Sequence, residues 1–515
     1  MKPLDRPAFI GKHVAMPVRL VGLIACCLVH LPLPASWAQQ LTGNDFAIDA
    51  VDGPVLGSSR IVGMGGSYTA LASGIDGAHW NPACYANRYP FEQDWWEWDL
   101  AFSLFGPGVF GQGDFFNNGH GVAADGFLFT DVGLRLQFGR FGFGGDFRAK
   151  IFTVSATSEK VSIQLLEGHS GVGWAFFDGQ LVVGASLRAA DLSMKLPDTN
   201  NSELVHFNGV GPEVGVVIAP VELPFRVGVA GRLPVNSTID SSEGVTEIGG
   251  VKYVRGFVLP ERVIMPWEVQ LGLAWQFGDR PLNLRWSEPR DREEEIEQLV
   301  ERRRCERARA QFLRERQAKQ KVKQGNKHGD KHGDKHGDGG LPGCEELFDS
   351  IEDQKWRQQE YRIREQEDRQ MEKAIDDEEE RIYWARRRGY EALSRSHWLA
   401  QLELVITGPV ADGIGLDAFL EQQQRTSGQD VVVSVRAGLE CEPLAHWLRA
   451  RAGFYLEPPR ATGSSWRPHG TAGIEVRLFS WDLFGWLHPF TFKLGLTGDF
   501  APGYIDVGLG VGFWH

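Results

Sequence analysis

Beyond its first forty residues the chain has no run of about twenty apolar residues, so no membrane-spanning helix is expected there. It has no excess of basic charge: a net charge of -13 over 515 residues leaves no broad cationic face for a phosphate backbone, which argues against nucleic acid as a partner. It also lacks H-E-x-x-H and C-x-x-C motifs and any Ser/His/Asp grouping, so hydrolytic and redox chemistry have no candidate residues and no cofactor is expected. The glycines of "RIVGMGGSYTALASG" do not satisfy G-x-G-x-x-G, and no repeated strand–helix units follow them. Cysteine is scarce, with six in all, and two of them, Cys26 and Cys27, lie in the opening segment.

That opening reads as an export signal. A weakly basic start closes at Arg19, "LVGLIACCLVHLPLP" is apolar, and "SWA" offers small residues for cleavage after Ala38. A lipoprotein box at "LIAC" competes, but its apolar run is very short. Export places Cys84, Cys305, Cys344 and Cys441 in an oxidising compartment. Four cysteines allow three full connectivities, and Cys305 with Cys344 is preferred because both lie in one charged segment.

What the chain has in quantity is glycine (62), phenylalanine (31) and tryptophan (17), a mixture that suggests many short strands. From Trp95 onward the pattern has period two, with one apolar face and one face of glycine and charge. In "PFTFKLGLTGDF", Phe490, Phe492, Leu494 and Leu496 oppose Thr491, Lys493, Gly495, Thr497 and Asp499. A soluble sandwich alternates in the same way. The export signal, the strand length of about ten residues or more and the aromatics crowding strand ends ("DWWEW", "GFWH") favour a transmembrane barrel in a lipid bilayer. Turn punctuation gives fourteen strands, the first at 94–105 and the last at 503–514, with others at 225–236, 264–277 and 429–442. The expected fold is therefore all-β: an antiparallel transmembrane β-barrel of about fourteen strands, with a plug segment before it and a helical insertion within it.

Five segments follow: a signal peptide (1–38), a plug (39–93), barrel strands (94–287), a charged insertion (288–396) and the remaining strands (397–515). The insertion is rich in helix formers and mixed charge and predicts two long helices in a coiled-coil-like hairpin. Its sparse apolar stripe comprises Ile296, Leu299 and Phe312 in one helix and Leu347, Ile351, Trp356, Ile363, Ile375 and Ile382 in the other. Residues 289–395 are a candidate surface for an envelope protein partner. The linker "NKHGDKHGDKHGDGG" carries His328, His332 and His336 with metal-ligand chemistry, but the glycine in every unit favours a flexible spacer. If both barrel ends are periplasmic, strand parity puts the insertion on that side; one miscounted strand reverses this.

The stretch "SSRIVGMGGSYTALASGIDGAHWNPACYANR" resembles the start of mature FadL-type outer-membrane transporters of long-chain fatty acids and other hydrophobic compounds, with related openings in PorV-like barrels. The matching positions are Ser59, Gly63, Gly65, Gly66, Ala70 to Ala72, Asp76, Trp80, Asn81, Pro82 and Ala83. The resemblance implies a fourteen-stranded barrel with this segment as a hatch in its periplasmic mouth. It also implies passive movement of a hydrophobic ligand through the barrel and sideways into the membrane, or, on the PorV-like side, a barrel that docks partner proteins. Asn81 is expected to bond to its own backbone beside the rigid Pro82. Inward-facing Arg135, Arg148, Lys150, Arg226, Arg436, Arg449 and Arg451 are candidate contacts for a ligand carboxylate, or partners for lumen acids such as Glu440 and Glu475.

Overall fold

A computed structural model describes residues 39–515 apart from 52, 90–94, 109–112, 119–123, 157–158, 197–202, 222, 239–244, 284, 287–289, 326–342, 394–396, 483, 485–489 and 515. The signal segment and the HGD repeat with His328, His332 and His336 thus lie outside the described residues. Fourteen antiparallel strands close into one barrel. They are β1 (Trp96–Phe105), β2 (Ala124–Phe138), β3 (Phe141–Ala156), β4 (Glu159–Phe176), β5 (Leu181–Lys195), β6 (Glu203–Ile218) and β7 (Phe225–Arg232), followed by β8 (Glu268–Gly278), β9 (His397–Thr407), β10 (Val432–Leu444), β11 (Leu448–Glu457), β12 (Arg467–Trp481), β13 (Phe490–Ala501) and β14 (Tyr504–Phe513). Pairing of β1 with β14, Ala101 opposite Gly512 and Phe105 opposite Gly508, closes the ring and leaves no sheet edge.

The two faces separate as the period-two pattern predicts. Leu134, Phe147, Trp174 and Leu496 point outward and are exposed, while their neighbours Arg135, Arg148, Ala175 and Thr497 are buried inside. Such an apolar exterior belongs in lipid, where a closed ladder pairs the backbone groups that water would otherwise have to satisfy. Aromatic rings gather at one rim: Phe138, Phe141, Phe143 and Trp174 form one cluster, and Trp98, Phe490, Phe492 and Phe513 another. Parity assigns that rim. Connections after even-numbered strands, among them the tight β2–β3, β4–β5 and β10–β11 turns, share it with the end of β14; we term it the turn end. Longer connections emerge at the opposite, loop end.

Two strands differ from the sequence expectation for one physical reason. β7 stops at Arg232 instead of 236, and β8 begins at Glu268 instead of 264, because Pro234 and Pro266 cannot donate to a ladder. Of the residues between, Val235–Thr238 joins Arg262–Met265, Ala47–Asp49 and Gly413–Gly415 in a four-stranded sheet at the loop end, with Ala47–Asp49 parallel to both of its neighbours. The wall is interrupted there. β6 pairs with β5 along nearly its full length, but its ladder with β7 begins only at Glu213, opposite Arg232. Pro212 stands just above that point, and its carbonyl accepts from Leu233 N at 3.0 Å.

The insertion leaves between β8 and β9, at the turn end. Taking α1 as Ser59–Gly63 in the plug, it forms three helices: α2 (Arg290–Gly325), α3 (Cys344–Ser350) and α4 (Gln354–Glu391). The second predicted helix is thus divided, because Ile351 is extended and Asp353 starts a new helix, its Oδ1 accepting from Lys355 N and Trp356 N at 3.0 and 3.1 Å. A small core of Ala308, Leu347 and Ile351, with Phe312 and Trp356 against it, sits beside the Cys305–Cys344 disulfide. Leu299, placed in the apolar stripe from sequence, is 52% exposed and outside that core. Charge does much of the remaining clamping: Arg307 reaches Glu360 and Glu367 at 2.8 Å each, and Arg304 reaches Glu367 at 3.2 Å. Burial pushes the Glu367 carboxyl up, but hydrogen bonds from Arg307 and Arg304 outweigh it and hold the group below the ordinary glutamate value. A depressed folded-state value gives stability that is complete at neutral pH and is lost as pH falls through it. Hydrogen exchange at 358–368 is therefore expected to accelerate a few-fold beyond its intrinsic pH dependence once pH drops below about 4, while barrel-strand amides hold.

Candidate functional site: the plugged lumen

The N-terminal segment starts at the loop end, in the sheet with Ala47–Asp49, and residues 82–86 of its continuation pack on glycines near the turn end of β3 to β6. Ser58 caps α1, its Oγ accepting from Ile61 N at 3.4 Å. Gly65 and Gly66 follow with φ of +64° and +74°, a turn open to glycine, and a Cβ on Gly65 would meet Phe454 N at 2.7 Å and Ala437 O at 2.8 Å. Trp80 Nε1 donates to Gly66 O at 2.8 Å and folds the segment on itself.

Asn81 is fully buried and makes contacts in three directions. Its Oδ1 accepts from Ala83 N at 3.0 Å, and its Nδ2 reaches Thr69 O at 2.9 Å within the plug and Val216 O at 3.1 Å in the wall. Pro82 opens the 3-10 turn Pro82–Tyr85, where a missing N–H costs nothing. The Asn81-Pro82 corner is a cross-link as well as a turn.

The wall is shaped to receive this segment. Inward glycines stand directly opposite one another on adjacent strands: Gly142–Gly173–Gly184–Gly215 across β3 to β6, then Gly228–Gly272, Gly438–Gly453 and Gly495–Gly510. A Cβ at Gly272 would fall 2.7 Å from Ala70 N, and one at Gly495 2.5 Å from Ser59 Oγ; at Gly184 it would strike Pro82 and at Gly438 Met64. Glycine inside a strand weakens it unless another backbone must come close. Here the plug backbone does.

Between these contacts runs a band of buried charge. Arg60 of α1 makes a two-pronged pair with Glu440 at 2.9 and 3.1 Å. Arg451 bridges Glu440 and Glu475 at 2.6 and 2.7 Å, and Lys493 joins Glu475 at 3.2 Å to Asp76 of the plug at 3.7 Å. Glu403 accepts from both Tyr68 N and Thr69 N at 2.8 Å. Of the seven cations singled out from sequence, three bond plug carbonyls: Arg135 (Cys84 at 3.1 Å, Asn87 at 2.9 Å), Arg226 (Leu71 at 3.3 Å) and Arg436 (Gly66 at 3.3 Å). Arg148 lies 5.2 Å from the Trp80 ring centre and near Asp131 and Asp146, Lys150 is 3.4 Å from Glu167, and Arg449 packs 4.1 Å from the Trp514 ring centre between Glu442 and Glu475. Sequence period alone finds that these cations face inward, but their partners are set by strand register, as for Arg148 with Asp131 and Arg449 with Glu475, or by the plug, as for Arg135, Arg226 and Arg436.

Above the plug, at the loop end, opens a recess of about 130 Å³. One side is Phe115, Phe116, Phe152, Ile163, Leu165 and Leu192, backed by Phe127, which stacks on Phe152 at 4.7 Å. The other side is polar, but its cations come with carboxylates: Lys150 with Glu167, Arg436 with Glu403 at 3.7 Å, and Arg460 with Asp49 at 2.6 Å. The recess shares Val51, Glu268, Thr407 and Arg436 with a second chamber of about 90 Å³, which also touches Arg232, Met265 and Pro266 beside the interrupted wall.

Fourteen strands thus close around an N-terminal segment that fills the lumen. Among solved structures the chain is similar to the toluene transporter TbuX of Ralstonia pickettii, at 12% identity and a TM-score of 0.43, over 90% of this chain and 98% of that one. It is similar to the CymD monoaromatic hydrocarbon channel (11% identity, TM-score 0.40, 89% and 96% covered) and to the deltaS2 mutant of the TodX monoaromatic hydrocarbon channel (12%, 0.40, 89% and 99%). No family model matches the chain, and no curated protein does.

Proposed function

We propose that this barrel is a passive outer-membrane channel for neutral hydrophobic small molecules, gated by the segment in its lumen. The observation that carries the reading is the phenylalanine-lined recess directly above the plug, inside a barrel whose exterior is apolar. Apolar ligands gain about 25 cal/mol for each Å² of apolar surface withdrawn from water, and the phenylalanine and aliphatic lining of the recess supports that gain. Pairing of the lining cations with carboxylates favours a neutral aromatic or aliphatic ligand over a fatty-acid carboxylate, which would have to displace an existing partner. The outlet is the wall interruption between β6 and β7. It adjoins the second chamber, and Val210, Val214 and Leu233 around it are about 60% exposed on the lipid side. The hairpin at the turn end then lies in the periplasm.

Replacing Phe152 with aspartate is expected to weaken binding of a neutral monoaromatic such as toluene by roughly 10- to 100-fold, since an unpaired carboxylate enters the apolar wall. Ligand titration of the purified barrel, run in parallel with a long-chain carboxylate, checks this. Tighter binding of the carboxylate by the unmodified chain overturns the neutral-ligand reading. A second reading, a barrel that docks envelope proteins through residues 289–395, draws support from the ionic band that fills the mid-lumen. It gains if uptake by cells is equal with and without the protein while a binding partner is lost on deleting the hairpin.

A further inference from the structure

The connection from β8 to α2 does not leave the barrel directly. Residues 279–283 and 285–286 lie under β7 and β6 toward the β4–β5 turn, where Trp286 N donates to Asp178 O at 3.5 Å, and Leu282, Asn283 and Trp286 are buried. Asn283 Nδ2 lies 2.8 to 3.0 Å from the carbonyls of Pro220, Leu223 and Phe225, and its Oδ1 accepts from Arg226 Nε at 2.7 Å. Arg226 donates Nη2 to Leu282 O at 3.1 Å and Nη1 to Leu71 O of the plug at 3.3 Å. The Trp286 ring centre lies 4.4 Å from the Arg88 guanidinium, which donates to Trp95 O and Gly139 O where the plug passes into β1. A small cavity of about 40 Å³ lies between the two segments, lined by Asn87 and Tyr89 of one and Asn283 and Trp286 of the other.

Arg226 joins these parts. Its guanidinium is buried, and its hydrogen-bond partners among the described residues are neutral oxygens: one from the plug and two from residues 282 and 283. A buried cation held this way depends on every acceptor, because each lost partner leaves a donor unsatisfied in the interior. Withdrawal of Leu282 and Asn283 would strip two of its three nitrogens at once. The same stretch of chain runs on toward α2, so movement at the base of the hairpin acts on it.

We propose that residues 279–286 form a latch through which the helical hairpin controls the plug. Displacing the hairpin draws Asn283 and Trp286 from the turn-end mouth, removes the acceptors of Arg226 and frees the plug backbone at Leu71 and Arg88. The inference rests on the plug being the gate of the channel proposed above.

The test uses the full chain with Cys441→Ser, in which Cys84, buried in the plug, is the remaining free thiol among the described residues. Asn283→Ala and Trp286→Leu are each expected to raise the rate of Cys84 alkylation by a small maleimide about ten-fold or more. Heat-modifiable electrophoretic mobility confirms that the barrel is folded, and Trp286→Leu serves alone if Asn283→Ala does not fold. Coupling is reciprocal, so unseating the plug with Gly438→Val must also accelerate hydrogen exchange in residues 279–300. Unchanged alkylation in the folded variants, or unchanged exchange at 279–300 when Gly438→Val exposes Cys84, overturns the latch. Neither measurement reads ligand flux. If Cys84 responds while toluene flux does not, the channel reading fails and the latch stands.

Discussion

Valine at both Gly184 and Gly438 is expected to unseat the plug and raise Cys84 alkylation roughly 100- to 1000-fold in a barrel that remains closed. A Cβ at Gly184 is driven into the Pro82 carbonyl and Ala83 N, and one at Gly438 into the Met64 main chain. These are backbone atoms, with no flexible side-chain end to swing aside. The wall cannot yield easily either, because both strands are laddered on two sides. Overpacking of this kind costs about 1–3 kcal/mol per site, and about 3–4 kcal/mol across two sites on opposite parts of the seat corresponds to the stated range. Gly231→Val and Gly470→Val are the controls, since an added Cβ there meets nothing within 4 Å. Equal alkylation rates in the test and control pairs would show that the opposed glycines are not the plug's seat.

Glu440→Ala is expected to act on the same segment by another route. The carboxylate receives Arg60 from the plug and Arg451 from the wall, and all three groups are buried. Removing it leaves Arg60 without its anion, a change that costs about 3–5 kcal/mol in buried pairs, whereas Arg451 keeps Glu475. α1 then loses its hold on the wall while the strand ladder is untouched. Cys84 alkylation in urea should therefore show plug release at lower denaturant than loss of barrel mobility. Arg60→Met with Glu440→Gln, which removes the pair together, should recover much of the loss, and failure of the double variant to do so would assign the Glu440 effect to Arg451 instead.

Much of the wall was legible because period two is a local property. The alternation in "PFTFKLGLTGDF" or "WLRARAGFYL" is set by each strand's own residues and reports which face meets lipid. The glycine seat was present in the same alternation but unreadable, since its meaning depends on register: only when Gly184 is placed opposite Gly173 and Gly215 does a scatter of small residues become a belt. The shortened β7 had a local signal in Pro212, Pro234 and Pro266, which mark where chain must leave a ladder. The course of the plug had none. Ala47–Asp49 is held by parallel pairing to residues more than two hundred positions away, and no pattern within a short window encodes such a partner. The arginines are intermediate, their inward direction set locally and their partners set by whatever crosses the lumen.

That parallel pairing bears on how the molecule is made. Ala47–Asp49 is stitched into strands from the β7–β8 and β9–β10 connections at one end of the barrel, and the same stretch of chain feeds β1 at the other. A finished ring would have to be threaded by its own leading segment, past a band of paired charge, before that stitch could form. Wrapping is the simpler order: strands assemble around a segment already in place, and the β1–β14 seam closes last. The plug is then a mandrel for assembly, and substitutions in its seat will show in the yield of closed barrel.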